Sequence, residues 1–181
     1  MAKVDRRIGK TQEAIKTAFL ELMAEKNFDQ ITIQDISDRA NVSRRTVYLH
    51  YLDKYDLLDK LIEEHMNTLR ELAEESTEMD FIEGNQIWFQ YFEDNYLFFS
   101  TMLASKGASS FHRLFLEFVI EGLRDEVDIK KEKYTDLNED VLLRFIGGAY
   151  VELVDWWFAN KMPYPPRNMA KQIGVLIEMI V

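Results

Sequence analysis

The chain contains no cysteine, and this single absence removes disulfides, thiolate zinc sites, iron–sulfur ligation and cysteine redox sensing together. Histidine is almost as scarce: His50, His65 and His112 form neither an HExxH pair nor any other ligand cluster. There is no glycine-rich phosphate loop, no serine in a nucleophile elbow, and no low-complexity tract or internal repeat. The longest uninterrupted apolar run, Phe145 to Val151, falls far short of the roughly 18 residues a membrane span requires. The opening segment, MAKVDRRIGK, is charged where a signal peptide needs an apolar stretch. Enzyme readings therefore fail for want of parts, no metal or cofactor is expected, no membrane partner is expected, and the expected location is cytoplasmic.

What is present is apolar mass and unevenly placed charge. An apolar fraction of 47% with 13% aromatics is ample for a packed core. The formal net charge is −10, yet residues 1–60 carry 11 Lys and Arg against 10 Asp and Glu, whereas the remainder carries 11 against 22. Two parts with different surroundings are expected. The near-neutral first part can still approach nucleic acid through a local basic face, because counterion release depends on the cations at the contact.

The apolar periodicity is helical throughout, and strand-like alternation is absent. Ile8, Ala14, Ile15, Ala18, Phe19, Leu22 and Met23 recur at spacings of three and four, which predicts a first helix from Arg7 to Lys26. Thr32 is placed to cap a second helix of about two turns, with Asp35 completing a capping box. Asn41 falls where a sharp reversal needs positive φ, and Ser43 can cap a third helix. Asp53 caps a connector helix that runs to about Glu75, with a polar loop over Glu74 to Asp80. Further helices follow: an aromatic segment split near Asp94 and Asn95, then SSFHRLFLEFVIEGLRDEV, then NEDVLLRFIGGAYVELVDWWFAN, then a last helix after KMPYPP. An all-α protein of about nine helices is the expectation.

Arg44 and Arg45 stand at the start of the third helix, against the positive end of its dipole, where they cost a few tenths of a kcal/mol. Val47 and Tyr51 face inward with Val42, and Arg45, Tyr48 and Leu49 project the other way. A short helix, a tight turn and a second short helix with a basic, aromatic outer face are the parts of a helix-turn-helix.

The segment TIQDISDRANVSRRTVYLHYLDKYDLL, within about Thr11 to Ile62, resembles the amino-terminal domain of the TetR family of bacterial transcriptional regulators. It departs from the family pattern at Asn41, where glycine is usual, and at Tyr51, where phenylalanine is commoner. The resemblance implies a helix-turn-helix DNA-binding domain over residues 1–52 and a helical effector-binding and dimerisation domain over residues 53–181. It implies that Arg44, Arg45 and Thr46 lie nearest base edges, that Tyr48 and His50 meet the sugar-phosphate backbone, that Lys54 reaches a phosphate, and that Thr32 and Gln34 touch the flanking backbone. The chemistry agrees, since an arginine fork pairs with guanine N7 and O6. His50 has the alternative of packing against the first helix.

The second half is less explicit. Its aromatics exceed what one helical face buries, so part of the set can line a ligand cavity. Trp88, Phe92, Met102 and Phe115 are the candidates, with core packing as the alternative for each. Glu152 and Asp155 are open between a cationic ligand, an ion pair and water. Trp157 matches a tryptophan frequent in a TetR subgroup that includes regulators resembling the activator of dihydroxyacetone kinase genes; Lys161 stands where that subgroup has glycine, so the helix stop is expected from Asn160 and Pro163. Gly147, Gly148 and the stripe Met169, Ile173, Leu176, Ile177 and Ile180 are assigned to a dimer interface, because the family pairs its last two long helices across a twofold axis. The resemblance thus implies a homodimer reading a palindromic double-stranded operator, a repressor released by a small-molecule effector. The alternative is a protein-interaction or co-regulator module of the same fold.

Overall fold

The computed structural model describes residues 2–76, 78–105, 109–126 and 137–180; the side chains of 2–6, 109, 125, 126, 178 and 180 are outside the description. Among the described residues there are nine α-helices and no strand: α1 (Ala2–Glu25), α2 (Ile33–Arg39), α3 (Arg44–Tyr48), α4 (Lys54–Glu75), α5 (Phe81–Asp94), α6 (Tyr96–Ala104), α7 (Ser109–Glu126), α8 (Glu139–Ala159) and α9 (Pro166–Ile180). A short 3-10 turn, Phe28–Gln30, lies between α1 and α2. The chain divides into two compact units, one of Met1–His65 with Ala104–Ser109 and one of Met66–Leu103 with Ser110–Val181.

In the first unit, α1 buries Ile15, Ala18, Phe19, Leu22 and Met23. Ile8, expected on the same stripe, is exposed; the fully buried face begins two turns later at Ile15. The α2 start is closed by a capping box: the Asp35 N–H donates to Thr32 Oγ1 at 3.1 Å and the Thr32 N–H donates to Asp35 Oδ2 at 2.8 Å. Its end is a left-handed stop. Asn41 has φ of 53°, the Val42 N–H donates to the Ser37 carbonyl and the Asn41 N–H to the Asp38 carbonyl, which satisfies the last carbonyls of α2 and reverses the chain. Asp53 Oδ1 accepts from the N–H groups of Tyr55 and Asp56, opening α4 as its spacing predicts.

The second unit is built around aromatic rings. Phe92 meets Phe99 and Phe115 edge-on, Phe111 stacks on Phe115, and Phe89 meets Trp157 edge-on. The turn between α5 and α6 falls at Asn95, whose Nδ2 donates to the Tyr91 carbonyl. Helix α9 packs along α5 closely enough that a Cβ at Gly174 would stand 2.5 Å from Ile82 Cγ1. Gly147 has the same role against α7, where a Cβ would lie 2.9 Å from Ile120 Cγ1, while Gly148 faces open space.

Helix α8 ends differently from expectation. Lys161 itself takes the left-handed conformation, with φ of 59°, followed by Met162 at 51°. The Met162 N–H donates to the Trp157 carbonyl and the Lys161 N–H to the Phe158 carbonyl, so lysine occupies the position that glycine fills at lower cost. Asn160 is the C-cap, and Pro163 follows after the reversal.

Candidate functional site

Helices α2 and α3 carry exposed polar and cationic side chains. Ser43 Oγ accepts from the Thr46 N–H at 3.1 Å and sits 2.8 Å from Thr46 Oγ1, fixing the start of α3. Val47 and Tyr51 are buried, anchoring the helix from beneath. Arg44 and Arg45 are exposed, Tyr48 is 48% exposed and Leu49 is 73% exposed. His50 is half-buried, its ring 6.3 Å from that of Tyr51. Thr32 and Gln34 are exposed, but Thr32 closes the α2 cap and Gln34 Nε2 donates to Asp38 Oδ1 at 2.7 Å. The Asp35 carboxyl is held down to about 2 by hydrogen bonds from the Thr32 hydroxyl, from Lys26 and from the Thr32 backbone.

The cations of this unit divide sharply. Lys16 pairs with Glu64, Lys26 with Asp35, Lys60 with Asp56, and Arg39 with Glu21 and Glu25. Arg44 and Arg45, with Arg7 and Lys10 of α1, have no ion pair among the described residues. Lys54 departs from expectation. Its Nζ donates to the carbonyl oxygens of Phe28, Asp29 and Ile31 at 2.9, 3.0 and 3.0 Å, which uses all three of its N–H groups. The phosphate contact expected of Lys54 is thus not one this geometry offers; it ties the 3-10 turn to the head of α4. Tyr55, the next residue, is exposed and was not singled out by sequence; its position in the first turn of α4 is the only signal for it.

In the second unit a cavity of about 280 Å³ lies among residues of α4, α5, α7 and α8. Tyr150 and Asn85 are buried at its floor, where Tyr150 Oη donates to Asn85 Oδ1 at 2.7 Å and Asn85 Nδ2 donates to the Phe81 carbonyl at 2.7 Å. Burial pushes the Tyr150 phenol far up, so it remains a neutral donor. Of the four predicted ligand residues, Trp88 lines this cavity. Phe92, Met102 and Phe115 do not line it: each is fully buried, Phe92 against the rings of Phe99 and Phe115. The missed residues are Asn85 and Tyr150, 65 positions apart, which no local spacing links.

The predicted dimer set also divides. Gly147, Met169, Ile173 and Ile177 are buried within the subunit, because α7 and α5 already cover them, so they are corrected to core positions. Leu176 is exposed and Gly148 opens outward; the Ile180 side chain lies outside the described residues. Val141, Phe145 and Trp156 on α8, and Val175, Leu176 and Met179 on α9, are large apolar side chains left exposed. Glu152 is exposed and Asp155 half-buried, and neither lines the cavity.

A short helix with an exposed cationic start following a capped helix and a tight turn, with α4 running on into a helical unit that holds a half-open cavity, is the build of a helix-turn-helix transcriptional regulator. Comparison with known proteins agrees. The family model for bacterial regulatory proteins of the tetR family matches residues 15–61, and the transcriptional regulator C-terminal region model matches residues 79–179. The chain belongs to the TetR family of transcriptional regulators. That family and fold are those of regulators and not of enzymes.

The chain is 44% identical over 62 residues to the HTH-type transcriptional regulator YxbF of Bacillus subtilis, a match covering 34% of this chain and only 16% of YxbF. It is 26% identical over 145 residues to DhaS, the dhaKLM operon transcriptional activator of Lactococcus lactis, covering 77% of this chain and 74% of DhaS. A TetR transcriptional regulator from Streptococcus agalactiae superimposes with a TM-score of 0.72 at 28% identity, covering 98% of this chain and 99% of that one. The FadR regulator of Bacillus subtilis, solved in complex with stearoyl-CoA, shares the fold with a TM-score of 0.67 at 20% identity, covering 91% and 96%. No helix of the described residues is long and apolar enough to cross a membrane, and among them no group of His, Cys, Asp or Glu is placed to hold a metal ion.

Proposed function

We propose that the protein is a homodimeric, sequence-specific repressor of transcription, released from its operator by a small-molecule effector and acting in the cytoplasm. The observation that carries this reading is the lack of an ion pair at Arg44 and Arg45 among the described residues: exposed side chains on a dipole-disfavoured helix start, in a unit where Lys16, Lys26, Arg39 and Lys60 are paired. Phosphate and guanine supply the missing partners. Thr46, Tyr48, His50, Thr32 and Gln34 lie on or beside the same face and complete the backbone contacts, with Tyr55 in place of Lys54 at the head of α4. The exposed apolar side chains of α8 and α9 supply the surface for a second copy, and a twofold pair sets two recognition helices one helical turn of DNA apart, about 34–36 Å. The effector occupies the cavity, whose wall includes Ala73 of α4, and shifts the population toward a spacing that does not fit the operator.

The test is retention of genomic fragments at moderate salt, followed by anisotropy titration of the retained sequence with the Arg44→Ala, Arg45→Ala double variant. Specific affinity should fall by roughly 100-fold or more, as expected for the loss of two base contacts. Unchanged affinity would remove the assignment, and failure of the parent protein to retain any fragment would favour the interaction-module alternative. DhaS is described as an activator, so a chromosomal reporter with and without the protein separates repression, the proposal, from activation.

A further inference from the structure

On the reading just given, that α3 meets a duplex, the remaining cations of the first unit extend the surface that does so. Of the eleven Lys and Arg in residues 1–60, five are engaged inside the unit: Lys16, Lys26, Arg39 and Lys60 in ion pairs, and Lys54 on three carbonyl oxygens. Arg44 and Arg45 stand on α3. The other four, Lys3, Arg6, Arg7 and Lys10, fall within eight residues of α1, where the single acid is Asp5.

Packing does not account for this stretch. The buried face of α1 begins at Ile15, whereas Arg7, Ile8, Gly9 and Lys10 are all exposed, and a Cβ added at Gly9 would meet nothing within 4 Å. Arg7 and Lys10 lie three residues apart and share one helix face, and neither has an ion pair among the described residues. In sequence the same three-and-four spacing runs back through Arg6 to Lys3, about 10 Å of helix from Lys10. Like charges at that spacing repel one another, and an anionic partner turns the arrangement to advantage.

The position suits a duplex. Lys10 lines a groove with Arg39 and Ala40 at the end of α2, together with Glu13 and Glu21, of which Glu13 is paired with Lys16 and Glu21 with Arg39. Ala40 leads into the Asn41 turn and α3, so Lys10 stands beside the helix-turn-helix.

We propose that the first turns of α1, through Arg7 and Lys10 and with Lys3 and Arg6 in the same stretch, bind the phosphate backbone of the duplex outside the bases that α3 reads. Cations spaced along a helix meet a row of phosphates, which fix register and carry no sequence information. The competing anionic partner is the remainder of a second copy, with 22 Asp and Glu against 11 Lys and Arg after residue 60.

The test is Arg7→Gln with Lys10→Gln in the full-length protein, at exposed positions where glutamine keeps helix propensity. Anisotropy titrations follow a retained operator fragment and a scrambled duplex over about 50–200 mM salt. Four cations leave a twofold pair, so the slope of log affinity against log salt should become shallower by about two to four. Affinity should fall by roughly tenfold or more for both duplexes, leaving their ratio unchanged, whereas the Arg44→Ala, Arg45→Ala variant lowers that ratio. Arg7→Lys with Lys10→Arg should keep the parent's slope.

An unchanged slope in the glutamine variant, a loss confined to the operator, or a shallower slope in the charge-preserving variant overturns this inference while the parent still binds its operator. A slope that holds while the dimer dissociation constant rises overturns it in favour of the acidic part of a second copy. A parent that retains no DNA fragment at all defeats the regulator reading first, and this inference with it.

Discussion

Lys54 Nζ lies 2.9 Å from the carbonyl oxygen of Phe28 and 4.7 Å from the centre of the same residue's ring, so one ammonium clamps both the backbone and the side chain of the 3-10 turn. Lys54→Met should therefore lower the unfolding free energy by about 1–3 kcal/mol, measured by urea denaturation, because partly buried carbonyls lose a charged donor. Operator affinity of the folded variant should keep the parent's salt dependence. A stable Lys54→Met protein with a shallower salt slope would return Lys54 to the phosphate contacts.

The left-handed Lys161 gives a prediction of opposite sign. A non-glycine residue at φ of 59° is strained by about 1–2 kcal/mol, and glycine removes that strain while loosening the unfolded chain by about 0.5–1 kcal/mol. Lys161→Gly should raise stability by up to about 1 kcal/mol in thermal or urea unfolding, whereas Lys161→Val should lower it.

His65 sets a pH dependence. Burial pushes it down to about 4, against the partial opposition of Glu64 and with Lys16 adding to the depression. As pH falls below 6.5 the unfolded chain takes up this proton first, so stability present above pH 6.5 is lost progressively toward pH 4. The full loss is on the order of 2–3 kcal/mol. His65→Gln should flatten that stretch of the urea-midpoint profile; Asp35, held down to about 2, titrates below it.

The exposed rings and methyls of α8 and α9 predict association. Phe145 is 68% exposed and Met179 74% exposed, on the two helices proposed to meet a second copy. Phe145→Glu should raise the dimer dissociation constant by roughly 30-fold or more, from lost apolar burial alone, in analytical ultracentrifugation. An unaltered constant would move the interface elsewhere on the surface.

Local chemistry was readable and tertiary chemistry was not. Thr32 and Asp35, Asn41, Ser43 and Asp53 each act on backbone groups within a few residues, and each stands in the role its spacing predicts. Lys54 failed as a prediction because its acceptors are carbonyls more than twenty positions back, and a carbonyl has no sequence signature. Phe92, Met102 and Phe115 have the composition of a pocket and the position of a core, a distinction decided by which helix lies opposite. Lys161 shows a third kind of miss: the chain tolerates a poor residue at the reversal because Trp157, fully buried, donates its indole N–H to the Tyr164 carbonyl at 2.8 Å and holds the loop from beyond the turn.

The bond between Tyr150 and Asn85 joins two sites that evolution cannot treat independently. Phenylalanine at 150 would leave a buried amide oxygen without its donor, and leucine at 85 would leave a buried phenol without its acceptor. Natural variants should keep both or lose both, so the pair should surface as a covarying couple once enough related chains are aligned, and an ancestor crossing between the two solutions had to pass through a less stable intermediate.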